Sequence, residues 1–170
     1  YVPLVRPDGR IINSVSDAAL HVGMRISKNE SIYRLPFDKQ YMGTVYPVLT
    51  LRFTAGVPAM LNDSYEYYRL EGGIHYKPEL PPLGYSNITL QGGKIFGKVP
   101  YPLLKLHEGN GTYFYDPNAF SCMNFYEFAS DAWVALFFEH HFNGILLGRI
   151  PLVKKLKWRE VLVCKGVWGT

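Results

Sequence analysis

Hydrophobic and polar residues alternate with a two-residue period along several segments of this chain. On a β-strand, successive side chains project to opposite faces, so residues 43–57 are predicted to form a strand with one apolar and one mixed face. A soluble sheet packed on a core gives this pattern, and so does a transmembrane strand of roughly 9 to 11 residues. The apolar set is Val45, Pro47, Leu49, Leu51, Phe53, Ala55 and Val57.

The same alternation predicts further strands, and the turn residues between them predict their order. Ser130 and Asp131 leave room only for a tight hairpin turn, so consecutive strands are expected to be antiparallel. Pro151 is predicted to begin a short helix, because proline fits the first helical position. The predicted fold class is all-β, an antiparallel meander of about seven or eight strands. The strands expected are a hairpin of 1–5 with 10–15, then 18–28, 65–77, 85–98, 121–129, 132–142 and 160–168.

Composition places the chain among folded proteins. It has 170 residues, 48% of them hydrophobic and 19% charged, so residues 1–170 are expected to form one domain with a core. No run of 18 or more apolar residues predicts a transmembrane helix. The chain has no initiating methionine and no secretory leader pattern, so we expect it to be a fragment of a longer protein.

Two long connections interrupt the strand pattern. Residues 28–42 form one long connection, and residues 99–118 form another that is rich in Pro, Gly, Asn and Tyr without a clean period. Outer-membrane barrels alternate short periplasmic turns with long external loops, and residues 99–118 fall at the wrong position for that alternation. Residues 99–118 fit this alternation of turns and loops only if they contain a further strand or turn inward into the barrel.

No set of residues predicts catalysis, a metal site or a cofactor. Glu139, His140 and His141 are adjacent, but on a strand at most two of them share a face, and a catalytic zinc needs three protein ligands. No nucleophile elbow or phosphate loop is present. We therefore expect a protein that is not an enzyme. The two cysteines, Cys122 and Cys164, are expected to be buried free thiols.

Two groups of residues are candidates for binding. Tyr101, Tyr113 and Tyr115 lie in the long connection, where their rings could form a platform for a glycan or another ligand. Lys154, Lys155, Lys157 and Trp158 lie in a short basic segment whose apolar residues could enter a membrane interface while its cations meet anionic head groups. A solvated loop helix explains the second group equally well. The remaining positive charge is scattered within a net charge of +4, so no nucleic-acid partner is expected.

Several strings of residues resemble a known protein family. They are GTVYPVLTL at 43–51, KIFGKVPYPLL at 94–104, FYEFASD at 125–131, EHHFNG at 139–144 and IPLVKKLKWRE at 150–160. In this order they are similar to Bacteroidota outer-membrane proteins with a carboxypeptidase-regulatory-like N-terminal domain.

The resemblance implies a partial outer-membrane β-barrel, loosely similar to the surface-antigen barrels of the BamA and TamA kind. Its implied partners are outer-membrane lipid and the remaining strands and N-terminal sandwich of a parent chain. It supplies no catalytic residues. The leading hypothesis is thus a transmembrane barrel segment of the bacterial outer membrane with a structural, transport or surface-assembly role. The alternative is a soluble β-barrel or sandwich that binds ligands through residues 99–118.

Overall fold

The chain forms an antiparallel β structure built around one large sheet. The computed structural model describes residues 4–5, 11–12, 15, 17–57, 65–109, 111, 114, 116–124, 126–145 and 147–170. The large sheet has six strands, which lie side by side in chain order. They are β3 (Ala19–Ile26), β6 (Val48–Gly56), β7 (Tyr68–Tyr76), β8 (Tyr85–Phe96), β11 (Ala132–His141) and β12 (Val161–Gly169).

Three short antiparallel pairs accompany the sheet. The first pair, β1 (Leu4–Val5) with β2 (Ile11–Ile12), confirms the predicted N-terminal hairpin, although its turn at 6–9 lies outside the described residues. The other pairs are β4 (Ser31–Arg34) with β5 (Lys39–Gly43), and β9 (Lys105–Leu106) with β10 (Ala129–Ser130). The all-β, antiparallel class predicted from the alternation is confirmed.

The helical content is small. A 3-10 turn spans Leu147–Arg149, and α1 spans Pro151–Lys154 with proline in its first turn, as predicted. A second 3-10 turn covers Tyr101–Leu103. None of the helices in the described ranges is long and apolar enough to cross a membrane.

Three predictions about connectivity are wrong. The described sheet has six strands rather than seven or eight, and residues 28–42 contain most of the β4–β5 hairpin. Residues 121–129 do not form a strand of the sheet: apart from Ala129 in β10, the described residues among them lie in turns and irregular structure. Both neighbours of β11 are already taken by β8 and β12, so no free edge remains there for another strand to pair with.

The junction at Ser130 and Asp131 is also not a hairpin. β10 ends at Ser130, and β11 begins at Ala132 after a single bend. β10 pairs with β9, whereas β11 pairs with β8 and β12. The chain therefore changes partners at this point without reversing its direction.

Candidate functional site

One face of the six-stranded sheet is apolar on every strand. The pairing register brings the apolar residues of neighbouring strands side by side, as in the row Met24, Leu51, Gly72, Gly92 and Val134. We call this surface the apolar face. Its large side chains include Leu20, Val22, Met24, Ile26, Leu49, Leu51, Phe53, Tyr68, Leu70, Ile74, Leu90, Phe96, Val134, Leu136, Leu162 and Trp168.

The large apolar side chains named above are exposed. Those named above have between 39% and 64% of their surface accessible. Six strands about 4.8 Å apart, each with about 9 residues rising 3.3 Å, give a surface of roughly 700 Å². Soluble monomers seldom expose a contiguous apolar patch larger than a few hundred Å², so this face indicates contact with something apolar.

Glycine and aromatic residues shape the apolar face. Gly72 and Gly92 are directly paired, and the missing side chains leave a shallow apolar groove of about 370 Å³. Near one end of the face, the rings of Phe53 and Tyr68 stack with centroids 6.3 Å apart. Lys94 interrupts the face, and its ammonium lies 5.5 Å from the centroid of the Phe96 ring.

The opposite face, the polar face, carries hydrogen-bonding and charged side chains on β6, β7 and β8. Arg52 and Glu71 approach each other on neighbouring strands with a closest N to O distance of 3.8 Å. His75 Nδ1 lies 2.9 Å from Thr89 Oγ1. These residues border an open hollow of about 570 Å³, which is large enough to be filled by water.

The described residues of 97–131, here the covering segment, fold over part of the polar face. Val99, Leu103 and Leu104 pack against a buried cluster of Tyr67, Ile95 and Trp133. The long connection thus packs against the sheet, and it carries the short strand β9. Nearly all of the described buried hydrophobic residues therefore lie on the polar side of the sheet.

A second cluster and several polar contacts hold the rest of the covering segment. The rings of Phe120 and Phe137 lie 5.0 Å apart, and Ala135 completes the buried cluster. The Lys165 ammonium donates hydrogen bonds of 2.8 Å to the carbonyl oxygens of Asp116 and Ala119. The segment is thus attached through β8, β11 and β12, rather than extending freely into solvent.

Further contacts tie the segment to β7, and tie the chain before β7 to the chain before β3. The Arg69 guanidinium donates to the Leu103 carbonyl. The Tyr67 hydroxyl donates to the Asp17 carboxylate over 2.8 Å, and burial together with this bond raises the pKa of Tyr67 to about 12.

A cavity of about 160 Å³ remains between the covering segment and the sheet. Its walls combine Lys105, His107 and Glu108 from the segment with Gln91 and Phe137 from the strands. His107 is only 4% exposed, and its Nε2 lies 3.1 Å from Ser130 Oγ. Burial, aided by the nearby Lys105 cation, lowers the pKa of His107 below its ordinary value, so the neutral imidazole is favoured.

The structure separates the two groups of predicted binding residues. Tyr101 lies in the covering segment, where it is partly exposed and its hydroxyl donates to the Tyr126 carbonyl over 2.9 Å. Tyr113 and Tyr115 lie outside the described residues. At the far end of the β11–β12 pair, Lys154, Lys155, Lys157 and Trp158 are all exposed.

The sequence reasoning missed the residues that hold the covering segment, above all Trp133 and Phe137. A signal was present, because residues 132–138 are apolar at every position. Such a run indicates a strand that is covered on both faces rather than on one face only.

The acidic and histidine residues do not form a metal site. Glu139 and His141 share the polar face with a closest N to O distance of 3.9 Å, while His140 points to the other face, where its Nδ1 lies 2.8 Å from Ser86 Oγ. Across the described ranges, no group of three or more His, Cys, Asp or Glu could hold a metal ion. Cys122 and Cys164 are free, as expected, but exposed rather than buried.

The sequence as a whole matches one family profile. Residues 7–169 match the C-terminal domain of DUF5686, a family of unknown function. The chain belongs to this family. No curated protein and no solved structure matches this chain significantly. The fold described above therefore carries the functional argument.

Proposed function

We propose that this DUF5686 C-terminal domain forms part of the wall of a β-barrel in the bacterial outer membrane. The observation that carries the proposal is the exposed apolar face, which continues across six adjacent strands and lies opposite a polar face. In a barrel wall, lipid contacts the first face and a water-filled lumen contacts the second. The proposed role is structural, in transport or in assembly at the cell surface, without catalysis.

Strand length supports the same proposal. The six strands contain between 8 and 12 residues, and a tilted strand of about 9 to 11 residues spans the hydrocarbon of a bilayer. Phe53, Tyr68 and Phe96 near one end of the apolar face suit the membrane–water boundary, where aromatic rings are enriched.

The free edges of the sheet indicate what else the barrel needs. β3 and β12 each have one neighbour within the sheet. In hydrocarbon, each unpaired backbone group costs several kcal/mol, so a lipid-embedded sheet must close through additional strands. The proposed source is the remainder of a parent chain, as in the Bacteroidota outer-membrane proteins that the sequence resembles.

The covering segment then lies inside the barrel. It packs on the polar face through Trp133 and Phe137 and occupies space that would otherwise be lumen. In this proposal the segment narrows the lumen of the barrel. The hollow beside Arg52 and Glu71 is the part of the lumen that stays open.

The two native cysteines provide the test. Cys164 lies on the apolar face, paired with Phe138, and Cys122 lies in the covering segment. The full-length parent, with any other cysteines replaced, is folded into lipid vesicles and labelled at either site with a small fluorophore. Lipids carrying a quencher on their acyl chains should quench the label at Cys164, and iodide should quench only the label at Cys122. Iodide quenching at Cys164 without lipid quenching would contradict the proposal.

A soluble binding module is the second candidate, and the exposed aromatic residues of the covering segment favour it. The Phe114 ring is 85% exposed and Tyr101 is partly exposed. Such rings can stack on the apolar faces of sugars. If this role is correct, full-length protein carrying Tyr113→Ala and Tyr115→Ala should lose retention on a glycan array. Unchanged retention would remove the candidate.

A further inference from the structure

The connection between β11 and β12 carries a dense group of positive charges. Residues 149–159, here the basic segment, contain five cationic residues and no acidic residue. All five are exposed. Their density is the highest in the chain. They are Arg149, Lys154, Lys155, Lys157 and Arg159.

The basic segment has a folded backbone. α1 is followed by a turn in which the Leu156 N–H donates to the Val153 carbonyl over 2.9 Å. The next acidic residue along the chain, Glu160, accepts a hydrogen bond from the Leu147 N–H through its carboxylate. The cations are therefore displayed on a compact turn that is closed at its base.

Large apolar side chains are exposed among these cations. Trp158 is 61% exposed and Leu156 is 57% exposed, and Ile150 is also exposed. Water solvates the lysine ammonium groups favourably, but exposure of the indole and the aliphatic groups to water is unfavourable. A membrane interface is favourable for both kinds of side chain, because the apolar groups reach the acyl region while the cations contact anionic head groups.

Charge also distinguishes the two ends of the sheet. The connections 27–47, 77–84 and 142–160 leave one end, and their Lys and Arg residues outnumber their Asp and Glu residues by nine to four. At the other end, the described connecting residues contain two cations, Lys98 and Lys105. Their acidic residues are Asp17, Glu66, Glu108, Asp116, Glu127 and Asp131.

The basic segment adjoins the apolar face. Leu162 belongs to the apolar face, is exposed, and follows Trp158 by four residues. The exposed apolar side chains of the basic segment and those of the apolar face are thus close along the chain. A bilayer that covers the face would bring its head groups to the level of these cations.

We propose that the basic segment binds the phosphate groups of anionic lipids at one membrane surface. Lys154, Lys155 and Lys157 contact the phosphates, while Leu156 and Trp158 enter the upper acyl region. The contact fixes which end of the sheet lies at the more anionic leaflet. This inference rests on the proposed barrel function and adds its orientation and its lipid preference.

The experiment uses Trp158 as a reporter. The full-length parent is folded into vesicles of neutral phosphatidylcholine, with or without anionic phosphatidylglycerol, and the lipid chains carry bromine near the head group. Subtracting the spectrum of the Trp158→Phe variant isolates the Trp158 emission. We expect a shift to shorter wavelength and stronger quenching in the anionic vesicles, both reduced by high salt, which screens charge.

Matched variants separate charge from folding. The triple variant K154Q, K155Q and K157Q should lose the response to anionic lipid. The single variant Lys155→Gln should weaken the response. The single variant Lys98→Gln, at the opposite end of the sheet, should leave it unchanged. Equal emission in neutral and anionic vesicles would overturn the inference, as would an equal shift caused by inorganic phosphate or by an oligonucleotide.

The two proposals fail in different ways. If lipid quenches the label at Cys164 but the Trp158 emission is the same in neutral and anionic vesicles, the barrel-wall proposal is retained and the proposed lipid preference is wrong. If Cys164 is not quenched by lipid, the barrel wall itself is wrong and the inference fails with it.

Discussion

The two faces of the sheet use hydrophobic residues in opposite ways. The apolar face has the more regular pattern, yet its large side chains are exposed. The polar face has the less regular pattern, yet Ile95, Trp133 and Phe137 on that side are buried beneath the covering segment. Regular alternation therefore marked the face whose large apolar side chains are exposed among the described residues. The breaks in alternation marked the packed core.

This difference bears on how each face is stabilised. Side chains on the polar side lose contact with water because of the fold itself, and their removal leaves a cavity. Side chains on the apolar face gain hydrophobic stabilisation only from a surrounding apolar medium. The following predictions test that contrast, from the largest expected effect to the smallest.

Truncating Trp133 should have the largest effect. Trp133→Ala should lower the free energy of unfolding by about 3–5 kcal/mol, as for other buried aromatic residues. It should also release the covering segment. Urea unfolding of the vesicle-embedded full-length parent measures the first effect, and protease cutting within residues 97–131 measures the second. Trp168→Ala on the apolar face is the control and should have a much smaller effect on both.

A charge on the apolar face should have the next largest effect. Leu51→Arg should lower the free energy of unfolding in vesicles by about 2–4 kcal/mol, because the guanidinium would lie in hydrocarbon. Thr50→Arg points to the polar hollow and should be tolerated. The measurement is again urea unfolding in vesicles. Equal tolerance of both substitutions would show that water reaches both faces.

Two glycines should respond differently to alanine. A Cβ atom on Gly93 would lie 2.6 Å from the Trp133 ring, so Gly93→Ala should cost about 1–3 kcal/mol through overpacking. A Cβ atom on Gly72 would lie 3.6 Å from Leu51, an ordinary contact, so Gly72→Ala should be neutral or slightly stabilising. Unfolding midpoints in urea give the comparison. Similar losses of stability for the two variants would mean that the Trp133 ring is not tightly packed against Gly93.

Acid should loosen the covering segment by a smaller amount. The pKa of His107 is lowered in the fold from its ordinary 6.5, first by burial and then by Lys105. The unfolded chain therefore binds the proton first as the pH falls below about 6.5, and the folded state loses stability from there down to the lowered pKa. Hydrogen exchange at residues 105–108 should accelerate over this range.

The matched control for the acid effect is His107→Gln, which cannot titrate. Its exchange rates, corrected for intrinsic chemistry, should not respond to pH over the same range. An identical response in the two proteins would assign the effect to another group.

The sheet strands were predictable because each has to satisfy a local rule. Residues 68–76 alternate consistently, and residues 85–96 do so apart from Lys94, so only a strand places their apolar residues on one face. The helix at Pro151 follows from the fixed φ of proline. The β4–β5 hairpin was missed because residues 31–43 have no such alternation, and its turn depends on the Leu35 N–H bonding to the Asp38 carbonyl.

The candidate site was only partly predictable. The basic segment can be read directly from its composition, and its exposure follows from charge. The cavity beside His107 could not be predicted, because it joins residues of β8 and β11 with residues of the covering segment. The predicted strand at 121–129 failed for a related reason: its residues are suitable for pairing, but β11 has no free edge.

The sequence by itself determined which side of each strand is apolar, since a two-residue period leaves a side chain only two faces to choose between. It also determined where the charge is concentrated. Only the tertiary structure decided which face is covered, because the covering segment packs on Trp133 and Phe137 through contacts distant in the sequence. Burial depends on such contacts, and the apolar pattern of a strand is the same whether protein or lipid lies against it.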